Sequence, residues 1–282
     1  MVVVTVGGES YYMNPKMKEK WDSIKDGKLQ KKDEDRVYIV DGRERSGKSL
    51  FTLQQAAYID PTIIKDLSRI TFSPEKTLDA IRNTKSTEKE TKVIIFDEAF
   101  RGLSSKAAIS KVNKRIVQAL MEMGQNNLVL FLVSPSFFLL ELYAAMLRSE
   151  ALFHIVKKKG ETRRSFRVFN YQKKAMLYKI GLKKGWSYNM HTKFKDTFPG
   201  KYPGGKNFKR KYIAKKAQEL REIGDPTKKT FSREEEKLFI QKFLENADKM
   251  EKKIPQIQLA RLFSKTPNTL RAYTRVITPK NT

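Results

Sequence analysis

One glycine-anchored loop limits what this chain can fold into more than any other stretch. The β-branched, apolar run 37–41 predicts a buried strand, and it leads into a loop in which Gly42, Gly47, Lys48 and Ser49 fill every fixed place of the pattern G-x-x-x-x-G-K-[ST]. The glycines let the backbone bend so that its N–H groups face inward, and the first turn of a following helix adds unpaired N–H groups and a positive dipole end. The stretch predicts a phosphate-binding loop of the Walker A type, and a chance match in a turn is the alternative.

We expect this loop to hold a nucleotide. Lys48 would reach the β- and γ-phosphates, and the Ser49 hydroxyl would bind Mg²⁺. The residues expected to contact the nucleotide are Gly42, Arg45, Ser46, Gly47, Lys48, Ser49 and Leu50. ATP and Mg²⁺ are therefore the expected cofactors.

A second motif predicts hydrolysis as well as binding. Four apolar residues at 93–96 are followed by Asp97 and Glu98, which is the pattern of a Walker B strand. The strand places Asp97 at its carboxyl end, where it would hold Mg²⁺ through water beside the phosphate loop. Glu98 points the other way and could accept a proton from the attacking water. Either carboxylate alone would fit a solvated strand end, but the pair after a Walker A loop favours a hydrolytic site.

Two further polar residues are candidates for the catalytic machinery. The apolar run 128–133 predicts a strand that ends in Ser134, at the place where ATPases of this class position a sensor of the γ-phosphate. Ser134 would either do this or cap the next helix. Arg148 follows that helix and would stabilise transition-state charge, from a neighbouring subunit or otherwise. A surface salt bridge is the alternative for Arg148.

The basic residues are concentrated in the second part of the chain. Of 282 residues, 58 are Lys or Arg and 31 are Asp or Glu, a net charge of +27. Residues 1–150 hold 24 basic and 20 acidic side chains, whereas residues 151–282 hold 34 and 11. A general compositional bias would not concentrate charge in this way, so we expect contact with a polyanion, with DNA as the predicted partner.

Composition also excludes several kinds of site. The chain has no cysteine, which rules out disulfides, thiolate metal sites and a cysteine nucleophile. Its two histidines, His154 and His191, stand far apart, so a transition-metal site is not expected. The longest apolar run, 128–140, is broken by Ser134-Pro135-Ser136 and is too short to span a membrane. We therefore expect no direct membrane insertion and a cytoplasmic location, with any membrane or capsid association made through a partner protein.

The order of the predicted elements indicates an α/β fold. Strands are predicted at 37–41, 69–72, 93–96, 128–133 and 152–156, and helices at 48–58, 74–83, 109–124 and 137–147. This alternation predicts a parallel sheet with helices on both faces and ligands at the carboxyl ends of the strands. Segments 165–169 and 175–180 would add strands or a hairpin at the edge. The predicted domains are a lead-in segment 1–30, an ATPase core 31–182, a basic aromatic extension 183–226 and a small all-α domain 227–282.

The extension 183–226 combines aromatic and basic residues, and prolines and glycines near 199–205 predict an irregular chain. Two interpretations stay open. The aromatic side chains would form a stacking surface for nucleic acid, or they would pack onto the ATPase core while the lysines remain solvated.

The last segment has the spacing of a helix-turn-helix. Apolar residues at 259, 263, 270 and 273 would fill the core between two helices, and the turn would lie at 264–266. The polar residues expected to face a DNA major groove are Asn268, Thr269, Arg271 and Arg275. A three-helix module that binds protein is the alternative.

With these motifs placed, the region 36–215 resembles the additional-strand P-loop ATPases of the FtsK/HerA and zonular-occludens-toxin-like kind. The similarity is strongest in FDEA at 96–99, MGQNN at 123–127 and LRS at 147–149. The resemblance implies a RecA-like core in an oligomeric ring that pulls DNA. It assigns the family's site to Lys48, Ser49, Asp97 and Glu98, with Arg148 as an arginine that completes a neighbour's site.

The leading hypothesis is therefore an ATP-hydrolysing DNA-handling motor of a virus, plasmid or other mobile element. Two alternatives stay open. The chain could be an ATPase that loads or helps a replication or transposition machine, or a DNA-binding regulator in which nucleotide only switches the oligomeric state.

Overall fold

The computed structural model describes residues 2–104, 111–157 and 164–224. The chain divides into two compact units, Met1–Arg221 and Glu222–Thr282. The first unit carries the phosphate loop and is described below. The predicted helix-turn-helix, with Asn268, Thr269, Arg271 and Arg275, lies outside the described residues.

Up to Gly224, the described residues form a seven-stranded sheet, a separate two-stranded hairpin and six α-helices. The strands are β1 (Val2–Val6), β2 (Glu9–Met13), β3 (Arg36–Gly42), β4 (Ile70–Thr71), β5 (Val93–Asp97), β6 (Val129–Ser134), β7 (Ala151–Val156), β8 (Arg164–Asn170) and β9 (Phe194–Phe198). The α-helices are α1 (Pro15–Asp22), α2 (Lys48–Ile59), α3 (Pro74–Asn83), α4 (Lys111–Glu122), α5 (Tyr171–Lys183) and α6 (Gly205–Gly224).

Strand order in the large sheet is β4-β5-β6-β3-β7-β8-β9. The strands from β4 to β7 are parallel, as predicted, whereas β8 and β9 pair antiparallel. The sheet is thus mixed: its central strands are parallel as predicted, and segment 165–169 adds an edge strand, which is one of the possibilities that the sequence left open. A chain that returns from β7 through a hairpin needs no crossover helix and must run antiparallel.

The strand β6 lies between the phosphate-loop strand β3 and the Walker B strand β5. Because all three strands run parallel, Gly42, Ser134 and Asp97 come to the same edge of the sheet. The fold is therefore α/β and RecA-like.

Helices cover both faces, which explains why the central strands are apolar without alternation. One face carries α1, α2 and the β1-β2 hairpin, and the other carries α3, α4 and α5. In α2, Phe51 packs its ring against Phe166 and Phe198 at centroid distances of 4.9 and 5.2 Å. This packing fixes the helix whose first turn must hold phosphate.

Residues 1–30, for which the sequence predicts no role, belong to the core. Trp21 on α1 is fully buried, meets the Tyr38 ring edge-on at 5.1 Å and donates its indole N–H to Gln55 Oε1 at 2.8 Å. The β1-β2 hairpin buries Val4, Val6, Tyr11 and Met13 on the same face. The lead-in segment therefore covers the sheet and α2.

Three local predictions need correction. Segment 175–180 is not a strand but lies within α5, which Asn170 caps by accepting from the N–H of Lys173 at 3.1 Å. The predicted helix 137–147 is a 3₁₀ turn (Phe137–Leu139) followed by a π-helix (Tyr143–Arg148). The extension is not wholly irregular, since it contributes β9 and α6.

Within the extension, the aromatic side chains Phe198, Phe208 and Tyr212 are buried against the ATPase core. This favours the packing interpretation for these three rings. Trp186, by contrast, is half exposed. Within the described part of the chain, no helix combines the length and the apolar character needed to cross a membrane.

Candidate active site

The phosphate loop leaves β3 at Gly42 and enters α2 after Gly47. Gly42 has φ +142° and Gly47 has φ +103°, backbone conformations that side chains rarely allow. A Cβ atom on Gly42 would stand 2.4 Å from the carbonyl oxygen of Ile155 on β7. The loop thus needs glycine here because the neighbouring strand approaches its backbone directly.

Lys48 is held over the loop. Its ammonium group donates to the carbonyl oxygens of Gly42 at 2.7 Å and Arg43 at 3.0 Å. Burial lowers the pKa of Lys48, and the nearby carboxylates Asp97 and Asp41 oppose that effect. A partly desolvated ammonium of this kind gains strongly from an anionic ligand.

The residues of the loop fit a bound phosphate. The hydroxyl of Ser46 is buried and has no hydrogen-bond partner among the described residues. An unpaired buried donor is unfavourable by about 1–3 kcal/mol, and a phosphate oxygen in the loop would supply its acceptor. The first turn of α2, which begins at Lys48, adds unpaired N–H groups.

The Walker B carboxylates follow β5 as predicted. Asp97 is buried at 2% exposure, whereas the Glu98 side chain is 36% exposed. Glu98 has a left-handed backbone, with φ +92°, which is strained for a residue other than glycine. Strained backbone is often found at active sites, and this one turns the chain sharply after the strand.

Two residues of α6, which the sequence interpretation missed, contact these carboxylates. Tyr212 donates its hydroxyl to Asp97 Oδ2 at 2.5 Å, close to the side chain of Ser49. Lys216, one turn later, lies 3.0 Å from Asp97 Oδ2 and 3.1 Å from Glu98 Oε1. The helix therefore reaches both predicted Mg²⁺ ligands and the predicted general base.

The charges explain the pKa values of these two residues. Burial, then the Asp97 carboxylate, raise the pKa of Tyr212 well above its ordinary range. Burial alone would lower the pKa of Lys216, but Asp97 and Glu98 outweigh it and raise the pKa. Lys216 is thus a firmly charged cation at the Walker B site.

Behind the phosphate loop, a buried polar cluster joins three segments. Asp41 on β3 is fully buried and accepts from the Phe137 N–H at 2.8 Å and from the hydroxyl of Tyr188, and it bonds His154 Nδ1 at 2.8 Å. The rings of His154 and Tyr188 stack at 3.7 Å. Burial, then Asp41, raise the pKa of Tyr188. The cluster fixes the loop after β6 to the residue that precedes Gly42.

Ser134 lies at the carboxyl end of β6, level with Asp41 in the register. It is buried, and its hydroxyl donates to the carbonyl oxygen of Ser136 at 3.0 Å. The position agrees with a sensor, while the hydrogen bond agrees with a local turn, so its role as sensor stays a prediction.

Arg148 lies near the amino ends of the parallel strands, whereas the phosphate loop lies at their carboxyl ends. It precedes β7, donates its Nε–H to the carbonyl oxygen of Leu120 at 2.7 Å and forms an ion pair with Asp35, which precedes β3. Arg148 is thus far from the phosphate loop of its own chain. The structure brings it into a salt bridge, which is the alternative that the sequence leaves open, and its role toward a neighbouring subunit stays a prediction.

Another arginine does lie against the loop. A Cβ atom built on Gly47 would stand 2.7 Å from Cδ of Arg164, at the start of β8. The Nε of Arg164 is buried and bonds no polar group in the part of the chain that the structure describes. Sequence analysis missed Arg164 because only the antiparallel return of β8 brings it to the phosphate loop.

The arrangement is that of a P-loop ATPase. Lys48 and the loop amides would hold the phosphates, and Ser49 and Asp97 would hold Mg²⁺, which would neutralise phosphate charge. Glu98 stands at the same edge with a carboxylate exposed enough to orient water.

No protein-family model matches the chain, and no curated protein matches it significantly in sequence. Among solved structures, it is similar to the N-terminal domain of zonular occludens toxin from Neisseria meningitidis, with 18% identity, TM-score 0.32, and coverage of 49% of this chain and 84% of that one. It is also similar to the genome packaging NTPase B204 of Sulfolobus turreted icosahedral virus 2 in complex with ATP-gammaS. That match has 16% identity and a TM-score of 0.36, and it covers 50% of this chain and 94% of that one. A KaiC-like protein from Pyrococcus horikoshii OT3 matches with 11% identity and a TM-score of 0.34, and the match covers 61% of this chain and 88% of that one. Likeness at this level concerns the fold alone.

Proposed function

We propose that this protein is an ATP-hydrolysing DNA-handling motor of a virus, plasmid or other mobile element. ATP binds with Mg²⁺ at the phosphate loop through Lys48 and Ser49, and Asp97 steadies the metal. Glu98 aligns water for attack on the γ-phosphate. The C-terminal unit docks on DNA through the predicted helix-turn-helix.

A cleft beside the phosphate loop carries the DNA part of the proposal. The cleft has a volume of about 690 Å³ and lies where β3, β6 and β7 end. It is lined by Gly42, Arg43, Pro135, Ser136, His154, Ile155, Val156, Lys157, Arg167, Trp186 and Tyr188. Because Gly42 and Arg43 belong to the phosphate loop, a ligand in this cleft would touch the nucleotide site.

The chemistry of the lining suits nucleic acid. Arg43, Lys157 and Arg167 supply three cations for backbone phosphates. Trp186 offers a half-exposed ring on which a base can stack, and its left-handed backbone, with φ +64°, is strained. Cations next to an exposed aromatic ring form the combination that tracks a nucleic-acid strand.

The assembly belongs to the same proposal. The protein acts in the host cytoplasm as a homo-oligomeric ring, with Arg148 presented to a neighbouring subunit. Its association with a membrane or capsid runs through a partner protein. Because Arg148 is paired with Asp35 in the single chain, ring formation would have to release it.

Turnover measured with and without long duplex DNA tests the proposal. Wild type should hydrolyse ATP, and DNA should stimulate hydrolysis at least about tenfold. Lys48→Ala should lose nucleotide binding, whereas Glu98→Gln should keep binding and lose hydrolysis. A motor should also displace a protein roadblock from DNA. DNA-stimulated turnover without displacement of the roadblock would indicate an ATPase that loads or helps another machine. Tight binding to one DNA sequence, with little ATP hydrolysis in wild type, would indicate a nucleotide-switched regulator.

Tryptophan fluorescence tests the cleft directly. The chain has two tryptophans, and Trp21 is fully buried, so quenching by an oligonucleotide should report on Trp186. Trp186→Phe should abolish the quenching. Arg167→Ala should weaken DNA binding and reduce the slope of log binding constant against log salt concentration by about one. The control is Lys179→Ala, at an exposed lysine of α5 that does not line the cleft. This variant should change neither the affinity nor the slope. Equal effects of Arg167→Ala and Lys179→Ala would contradict the proposed cleft.

A further inference from the structure

The helix α6 is docked against the Walker B edge by one face. Phe208, Tyr212 and Glu219 on this face are buried at 2%, 4% and 3% exposure. Glu219 accepts from the N–H of Phe72 at 3.3 Å, and Lys76 forms an ion pair with Glu219 at 3.4 Å. The helix is therefore held at several points along its length.

The contacts at Tyr212 and Lys216 fall on the groups that Mg²⁺ needs. The Tyr212 hydroxyl donates to Asp97 Oδ2 at 2.5 Å, close to the side chain of Ser49. Mg²⁺ requires near-octahedral oxygen ligands at about 2.1 Å and keeps several waters. A tyrosine hydroxyl bonded to Asp97 and close to Ser49 would occupy part of that shell.

Lys216 adds an electrostatic conflict. Its ammonium group lies within 3.1 Å of both Asp97 and Glu98 and so places a positive charge where a divalent cation would sit. Two cations at the same carboxylates repel each other strongly in a partly buried site. The ion pair with Glu98 also restrains the side chain of the proposed general base.

We propose that α6 is a nucleotide-controlled plug of the Mg²⁺ site. The Tyr212–Lys216 turn, when docked, excludes Mg²⁺ from Ser49 and Asp97 and restrains Glu98, and binding of Mg²⁺ with nucleotide releases this turn. Release therefore couples the nucleotide state to the position of α6. The coupling is reciprocal, so a ligand that pulls α6 away raises the affinity for Mg²⁺ and nucleotide. This inference rests on the proposed ATPase site.

Hydrogen exchange of α6 provides a test that does not depend on turnover. Amides of 208–219 should exchange about tenfold faster when wild type is saturated with Mg²⁺ and ATPγS. ATPγS with EDTA, or Mg²⁺ alone, should leave their exchange unchanged. Unchanged exchange in a protein shown by calorimetry to bind Mg²⁺ and ATPγS would overturn the plug but leave the ATPase proposal intact. Absence of nucleotide binding would overturn both.

Variants separate the plug from a direct nucleotide contact. Lys216→Met and Tyr212→Phe keep most of the side-chain volume. Each should raise the ratio of the ATPγS affinity in Mg²⁺ to the ATPγS affinity in EDTA about tenfold. Lys211→Met, at an exposed lysine of the same helix, should leave this ratio at the wild-type value. A tenfold lower affinity in Mg²⁺ for Lys216→Met would show that Lys216 holds the nucleotide and would refute the plug.

Discussion

The buried cluster around Asp41 allows one prediction to be worked out from individual contacts. Asp41 is fully buried and is stabilised by the Phe137 N–H, by His154 and by the hydroxyl of Tyr188. A buried carboxylate is tolerated only while its hydrogen bonds are made. Tyr188→Phe removes one charge-assisted donor and retains the ring that stacks on His154 at 3.7 Å.

We expect Tyr188→Phe to lower the free energy of unfolding by about 2 kcal/mol, since hydrogen bonds to charged groups contribute about 1.5–3 kcal/mol. For a unit of this size, the midpoint of thermal unfolding should fall by roughly 4–8 °C. Differential scanning calorimetry with and without ATPγS measures both the loss and its effect on the site. Because Asp41 directly precedes Gly42, the shift produced by nucleotide should also shrink.

Tyr178→Phe is the matched control. Tyr178 packs against the same Phe137 ring, with centroids 5.8 Å apart, but shows no hydrogen bond of its hydroxyl to another described residue. Its variant should change the unfolding free energy by less than about 0.5 kcal/mol. If Tyr188→Phe and Tyr178→Phe have the same midpoint of thermal unfolding, the Tyr188 hydroxyl does not stabilise Asp41.

Three other predictions follow from single contacts. Gly42→Ala places a Cβ atom 2.4 Å from the carbonyl oxygen of Ile155, so calorimetry should show at least a tenfold loss of ATPγS affinity while circular dichroism stays native. Arg164→Ala should weaken ATPγS binding about tenfold, because this arginine lies against Gly47 and its buried Nε bonds no other described residue. Unchanged affinity would assign Arg164 to packing. Burial lowers the pKa of Lys174 from 10.5 to about 7, so the unfolded chain takes up a proton between pH 10.5 and 7 that the folded protein does not. Stability should therefore rise in wild type as pH increases from 7 to 10, and urea titrations of Lys174→Met should show a flatter profile.

Much of the core was predictable because its signals are local. The apolar strands before Gly42 and Asp97, and the loop pattern between Gly42 and Ser49, follow from neighbouring residues, and the structure has each of these elements near its predicted place. Helix α6 was predictable in principle, since Tyr212, Lys216 and Glu219 recur at helical spacing. The glycines and prolines before it masked that periodicity.

The sequence by itself determined the phosphate loop, the Walker B strand and the α/β order, because short motifs and hydrophobic patterns specify backbone geometry along the chain. Only the tertiary structure decided which distant residues meet there. The antiparallel return of β8 brings Arg164 to Gly47, and the docking of α6 brings Lys216 to Glu98. Such contacts depend on strand direction and helix placement, which no local pattern encodes.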